Sequence, residues 1–149
     1  MKKIFTIVIV IIVSSFLFSS CNKYEEGPAI SFFSPKNRIT GTFTLENVII
    51  DEKIYIPEDL NIKEDTRIFN KNGTGERIIK MLVESNVSNQ ILEWEFDDKK
   101  EHIRERKKID DETWGTWTSY YTILRLTKKE LWILVPDEDG QKEYHYKKQ

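Results

Sequence analysis

Apolar and polar residues alternate with a period close to two from Gly41 onward, which is the spacing of half-buried β-strands. The clearest segment is Ile91–Asp97, in which Leu92, Trp94 and Phe96 share one face and three carboxylates occupy the other. Sustained apolar spacing of three and four residues, which would predict amphipathic helices, does not occur in this part of the sequence. The alternation therefore predicts an all-β domain.

Polar turn signals divide this region into about eight predicted strands joined as sequential hairpins. The first strand, residues 41–50, is expected to place Phe43, Leu45 and Ile49 on one face. The strand 102–109 is so rich in charge that both of its faces are expected to meet water or a partner. The other strands are residues 66–70, 76–88, 91–97, 117–126, 131–135 and 142–147. This order predicts an up-and-down antiparallel meander that closes into a small barrel or folds into a sandwich, and closure would remove exposed strand edges.

The start of the chain has the layout of a secretory signal, with a positive first segment, an apolar run over residues 4–18, and two serines before Cys21. As a helix this run would span ~22 Å, short of the ~30 Å hydrocarbon core of a bilayer. A permanent transmembrane anchor is therefore the less favoured alternative. The predicted parts are a signal peptide (1–20), a lipidated N-terminus and tether (21–33), and a β domain (34–149).

The sequence Phe18-Ser19-Ser20-Cys21 resembles the lipobox of bacterial lipoproteins, with Phe18 where leucine is usual. The resemblance implies cleavage before Cys21, acylation of that cysteine with chains such as palmitate, and attachment to a membrane. Cys21 is the single cysteine of the chain, so no intrachain disulfide competes for it. Several acyl chains hold a protein stably where one chain does not.

The residues that follow Cys21 bear on where the protein would reside. Asn22 stands where an aspartate would resemble an inner-membrane retention signal, so we predict the cell envelope and its outer membrane, on the periplasmic face or at the cell surface. Lys23-Tyr24-Glu25-Glu26 resembles the short export signals that send some lipoproteins to the surface, and a plain polar tether is the equal alternative. The tether leads into Ser34–Arg38, which is predicted to form one helical turn capped by the Ser34 hydroxyl.

The charge balance of the mature chain argues against one class of partner. Loss of the signal removes two of the 23 basic side chains and none of the 25 acidic ones, which lowers the net charge from −2 to −4. An acidic chain does not attract phosphate backbones, so no nucleic-acid partner is predicted.

Five stretches carry a further resemblance in their order and spacing. They are residues 25–28, 36–42, 69–75, Trp94 and 123–131. Together they resemble the lipocalin-like lipoproteins of Gram-negative bacteria. That family implies a lipocalin-like barrel whose first strand opens with Gly-x-Trp, where this chain has Gly41-Thr42-Phe43. The family shares no catalytic residues, and most of its members have no known ligand, so the resemblance implies a fold more than a function.

Few residues suggest catalysis. His102 and His145 lack the close neighbouring ligands of a zinc site, and acylation would remove the Cys21 thiol from nucleophilic chemistry. No Gly-x-Ser-x-Gly elbow occurs. The segment 137–140 is either a weak calcium loop or, as we favour, a solvated hairpin turn. We therefore predict no enzymatic activity, no cofactor and no metal site.

Aromatic side chains form the remaining candidate site, for a small hydrophobic ligand. They are Trp94, Phe96, Trp114, Trp117, Tyr121 and Trp132. The alternative is that these rings are the packed core of the barrel. Two functions stay open: an anchored barrel that binds a hydrophobic ligand, and a structural lipoprotein that docks on another protein of the envelope without a ligand cavity.

Overall fold

A computed structural model describes Tyr24 and residues 33–83, 87–118, 120–137 and 140–149. These ranges contain one antiparallel sheet in the order β2-β1-β3-β4-β5-β6-β7-β8-β9, and β1 also pairs with β9. The strands are β1 (Gly41–Ile50), β2 (Lys53–Tyr55), β3 (Ile62–Phe69), β4 (Thr74–Met81), β5 (Val87–Phe96), β6 (His102–Lys107), β7 (Tyr121–Leu126), β8 (Glu130–Asp137) and β9 (Gly140–Lys148). Eight strands close a small barrel and β2 is an extra strand, which confirms the predicted all-β, up-and-down fold. The barrel is compatible with a lipocalin-like fold.

The helical turn predicted before the first strand is confirmed as α1 (Pro35–Ile39). The Ser34 hydroxyl accepts a hydrogen bond from the Asn37 amide at 3.3 Å, and Pro35 occupies a first-turn position where its missing N–H costs nothing. Ile39 is fully buried and belongs to the hydrophobic core.

Two elements between β1 and β3 were not predicted. Asp51 and Glu52 both have positive φ, at 49° and 64°, and they turn the chain tightly into β2. A 3₁₀ helix over Pro57–Leu60 follows and ends at Asn61, which is also left-handed, with φ 59°. Asparagine and aspartate tolerate this left-handed conformation. The segment has no periodic pattern of apolar residues from which β2 and the 3₁₀ helix could be predicted.

The predicted face of the first strand is partly wrong. Phe43 and Leu45 point inward as expected, but the register of β1 against β9 shifts between Leu45 and Asn47. Because a one-residue irregularity exchanges the two faces of a strand, Val48 rather than Ile49 becomes fully buried.

Two other predicted strands are too long. The predicted strand 76–88 ends at Met81, and β5 begins at Val87, so the apolar residues Leu82 and Val83 lie in the connection and are exposed. The predicted strand 117–126 begins only at Tyr121. Before it, the Thr118 hydroxyl accepts the Glu105 amide at 3.1 Å, so a side chain replaces part of the regular ladder to β6.

The two ends of the barrel have different contents. The Tyr24 end holds Tyr24, α1 and the turns 70–73, 97–101 and 127–129, while the opposite end holds the connections 51–61, 82–83 and 108–118. The core lies toward the Tyr24 end, where Ile39, Phe43 and Leu126 are each fully buried.

The signal peptide (1–20), Cys21 and most of the tether lie outside the described residues, as do Glu138 and Asp139 of the candidate calcium loop. The three-part division of the chain stays a prediction.

Candidate functional site

The six aromatic residues proposed from the sequence fall into two groups on opposite faces of the barrel wall. Trp94 is 5% exposed in the core, and Phe96 and Tyr121 are partly buried against the core. The Trp94 ring contacts Phe69 and Phe96 edge-on, with both centroid distances at 5.5 Å, and its Nε1 donates to the Thr74 carbonyl at 2.9 Å. These three rings share the interior.

The three remaining tryptophans lie on the outer face, stacked on arginines. Arg106 lies over Trp114 at 5.3 Å and over Trp117 at 4.9 Å, measured from the guanidinium carbon to the ring centroid. Trp132 stacks on His145 at 4.0 Å, with the rings nearly parallel, and under Arg125 at 4.9 Å. The six rings therefore do not line one pocket, and their role in ligand binding stays a prediction.

The interior also contains a cluster of charged side chains that the sequence reading missed. Arg67 donates to Glu105 at 2.5 Å through Nη1 and to the Tyr146 hydroxyl at 3.0 Å through Nε. The Tyr146 hydroxyl in turn donates to Asp65 Oδ2 at 3.2 Å. Arg77 donates to both oxygens of Asp65, from Nε at 3.0 Å and from Nη2 at 2.6 Å. Two cations and two anions are thus joined through one phenol, which leaves the cluster neutral.

Burial and charge act in opposite directions within this cluster. Burial alone would lower the pKa of Arg67, but Glu105, Tyr146 and Asp65 outweigh it and hold that pKa well above its ordinary value. Burial raises the pKa of the Tyr146 hydroxyl, although the nearby Arg67 works against the rise. The arginine therefore stays charged and the phenol stays protonated, which keeps every hydrogen bond of the cluster in place.

The cluster corrects one prediction about β6. The strand was expected to have two wet faces, but Ile103 is 1% exposed and Glu105 is 5% exposed, so one face belongs to the interior. The sequence contains a pattern from which this inner face could have been predicted. Asp65, Arg67 and Phe69 are spaced two residues apart on one strand, as are Ile103 and Glu105 on another, so each set lies on one face. The apolar member of each set marks that face as the inner one.

One member of the cluster reaches solvent. The Arg77 side chain is 23% exposed, compared with 5% for Arg67 and 1% for Asp65. In the half of the barrel away from Tyr24, partly buried apolar residues at the strand ends pack against the core, and they are Ile50, Leu60, Ile62 and Val135. Next to Arg77 across the β4–β5 ladder, the buried Gln90 Oε1 lacks a hydrogen-bond partner among the described residues. This half of the barrel therefore combines partly buried apolar residues with polar groups, one of which is partly exposed.

A second depression lies at the Tyr24 end, beside the turn between β5 and β6. It has a volume of about 560 Å³, and its lining includes Phe96, Asp97, His102, Arg104 and Tyr120. Asp97 Oδ1 accepts the amides of Glu101 and His102 at 2.8 and 2.9 Å, and Oδ2 faces the His102 ring at 3.1 Å. Burial would raise the pKa of Asp97, but the His102 and Glu101 hydrogen bonds lower it. Through these contacts Asp97 stabilises the turn between β5 and β6.

Tyr24 packs against the same end of the barrel. It is 3% exposed, its hydroxyl donates to the Lys100 carbonyl at 3.0 Å, and the Arg38 guanidinium lies 5.3 Å from the ring centroid. Burial raises the pKa of Tyr24 to about 12, with Arg38 opposing the rise. The residue is therefore a fixed contact of the chain just after Cys21.

No protein-family model matches the chain, and no curated protein matches it. None of the helices in the described ranges is long and apolar enough to cross a bilayer. Within the same ranges, no three histidine, cysteine or carboxylate side chains come together as a metal site would require. The predicted absence of enzymatic activity, of a cofactor and of a metal stays a prediction.

Proposed function

We propose that this protein is a cell-envelope lipoprotein, anchored to a membrane through lipid on Cys21, whose lipocalin-like barrel binds a small hydrophobic ligand. The observation that carries the proposal is the docking of Tyr24 at one end of the barrel. A tether that is fixed to the barrel three residues after a lipidated cysteine would give the anchored domain a defined orientation.

The distance from the lipid to the barrel follows from the length of that segment. Three residues span at most ~10 Å when fully extended. Lipid on Cys21 would therefore hold the Tyr24 end close to the membrane surface. We place the proposed ligand site at the other end of the barrel, beside the partly exposed Arg77, where a ligand could arrive from the aqueous side.

The residues at this end suit a ligand that is mostly apolar with one polar group. They include the partly buried Ile50, Leu60, Ile62 and Val135 and the partly exposed Arg77. A guanidinium has five N–H donors, and Asp65 uses two groups of them, Nε and Nη2. An apolar pocket with a few convergent polar groups is the usual form of a small-molecule site.

Replacing Cys21 with serine should release the protein from membranes, because a hydroxyl at this position is not acylated. We expect the variant to move from the membrane fraction to the soluble fraction and to lose incorporation of an alkyne-labelled palmitate. Ser19→Ala is the matched control, since it keeps a small residue before the cysteine and should leave membrane retention unchanged. Full retention of the serine variant would contradict the lipoprotein proposal and favour a transmembrane N-terminus.

An exposed apolar patch favours the second candidate function, docking on another protein of the envelope. Around the β4–β5 connection, Val83 is 83% exposed, Val87 58% and Ile91 50%. Ile109, 69% exposed, lines the same shallow depression as Ile91. Exposed apolar residues that lie together are more typical of an interaction surface than of an inert one.

One binding measurement separates the two functions. The fluorescent apolar anion 1-anilinonaphthalene-8-sulfonate should bind the native barrel, and Ile62→Glu at the end away from Tyr24 should weaken its binding about tenfold by placing a charge in an apolar contact. Ile109→Glu is the matched control on the exposed patch and should leave the affinity unchanged. If Ile109→Glu abolishes binding and Ile62→Glu does not, the ligand proposal fails and the docking function is favoured. Far-ultraviolet circular dichroism checks that both variants are folded.

A further inference from the structure

Charged residues are distributed unequally between the two ends of the barrel. The Tyr24 end is basic if α1, the described turns and Lys148 at the end of β9 are counted together. These residues include eight basic side chains and three acidic ones, and all three acidic ones lie in the turn 97–101. The basic side chains are Lys36, Arg38, Lys71, Lys99, Lys100, Lys128, Lys129 and Lys148. The tether, residues 21–33, has one lysine and two glutamates in its sequence, too few charges to cancel this excess.

The opposite end has the reverse balance. Its described connections carry two lysines, Lys53 and Lys108, against seven carboxylates. The carboxylates are Asp51, Glu52, Glu58, Asp59, Asp110, Asp111 and Glu112. A mature chain with a net negative charge is therefore strongly dipolar, with its positive pole at the end where Tyr24 docks.

We propose that the basic Tyr24 end is a membrane-contact surface that binds the anionic headgroups of a phospholipid bilayer and orients the barrel on it. The orientation rests on the proposed lipid anchor, whereas the headgroup binding does not require it. Lysine and arginine side chains that face an anionic bilayer are attracted to it, and the attraction fades within about one Debye length. The acidic opposite end would be repelled, so one orientation is favoured over its reverse.

Several side chains on this surface have the properties of a headgroup contact. Phe33 is 44% exposed, and the Lys128 ammonium lies 3.5 Å from its ring centroid, which places an aromatic and a cation together at the edge of the barrel. Phenylalanine together with basic side chains is typical of segments that lie in the interface of a bilayer. Lys71 and Lys129 are exposed at the tips of two other turns.

Crowding of like charge adds support. Lys148 donates to the Thr40 carbonyl and, at 3.3 Å, to the Arg38 carbonyl, so it is held at this end of the barrel. Burial lowers the pKa of Lys148, and the charge of Lys128 lowers it further. Neighbouring cations that repel one another gain when an anionic surface neutralises them.

The test uses the chain from residue 21 with Cys21→Ser, so that no lipid contributes to binding. Every strand of the closed barrel lies within residues 41–148, so the complete barrel is present. We expect the protein to co-sediment with phosphatidylcholine vesicles containing about three parts in ten phosphatidylglycerol, and not with pure phosphatidylcholine. Binding should fall steeply as salt rises from about 50 to about 500 mM, because the contacts are exposed and screened.

Charge reversal at the two ends supplies the matched comparison. Lys71→Glu with Lys129→Glu should lower the vesicle partition coefficient at least about tenfold. Lys53→Glu with Lys63→Glu makes the same change in net charge away from the proposed surface and should lower it less than about twofold. Equal losses in the two variants, or no binding to anionic vesicles, would overturn the proposal.

The vesicle assay and the Cys21→Ser experiment test the membrane-contact surface and the lipid anchor separately. If the Cys21→Ser variant leaves the membrane in cells but the vesicle assay is positive, both proposals stand, because headgroup attraction alone is weak and salt-sensitive. If the vesicle assay is negative while Cys21 is acylated, the anchor stands and only the membrane-contact surface is lost. If the vesicle assay is positive and Cys21 is not acylated, the surface stands without the anchor.

Discussion

Replacing Arg67 with leucine should destabilise the protein by about 3–5 kcal/mol, because it leaves Glu105 buried without its partner. Arg67 and Glu105 side chains are 5% and 7% exposed, so water cannot easily replace the lost contact. The change also removes the donor to the Tyr146 hydroxyl. Guanidinium chloride unfolding, followed by circular dichroism and fluorescence, measures the loss.

The double variant Arg67→Leu with Glu105→Leu separates the cost of an orphaned charge from the value of the pair. We expect it to recover most of the loss, since replacing both members of a buried pair by apolar residues of similar size is often near neutral. Arg106→Leu is the matched surface control. Its ion pair with Glu93 is also short, at 2.5 Å, but both side chains are about 30% exposed, so a cost of about 1 kcal/mol is expected. If the Arg67 and Arg106 variants lose equal stability, the interior cluster contributes no more to the stability of the fold than an exposed ion pair, which would contradict this prediction.

The same cluster shows where reading the sequence reaches its limit. Alternation predicted the inner face of β5 correctly, because Leu92, Trp94 and Phe96 are apolar and Glu93 and Glu95 between them are charged, but the strand begins at Val87 rather than Ile91. For β3 and β6 the inner face itself holds charge, so the pattern breaks down at Arg67 and Glu105. Their contact joins residues 38 positions apart, and only the folded register reveals that they meet.

Register also explains why the aromatic site was only partly anticipated. The spacing placed Trp94 and Phe96 on one face of a strand. The sequence could not show that Tyr121 lies on the same side of the wall, or that Trp114 and Trp117 lie in an irregular segment stacked on the outer arginines of β6. The shift in β1 likewise exchanged Ile49 for Val48. Side chains along a strand alternate between its two faces, so one extra residue in a bulge exchanges the faces of all the residues that follow. The sequence pattern does not show where such a bulge occurs.

Replacing Trp94 with alanine should cost about 3–5 kcal/mol, because the ring is almost fully buried and its removal leaves a cavity among Phe69, Phe96 and the turn before β4. Trp94→Phe should cost less, since an aromatic ring is kept. The Thr74 carbonyl loses the indole donor in that variant but still accepts the Asn70 amide at 2.8 Å. Denaturant unfolding of the three proteins gives the comparison.

Trp132→Ala is the control that tests the division of the tryptophans into inner and outer groups. Trp132 is only partly buried and contacts His145 and Arg125 on the outer wall, so its loss should cost about 1 kcal/mol. Trp94 supports the fold if its variant loses several times more stability than the Trp132 variant. Equal and small losses would mean that the fold does not depend on the Trp94 ring, and this would favour a ligand contact over a core role for Trp94.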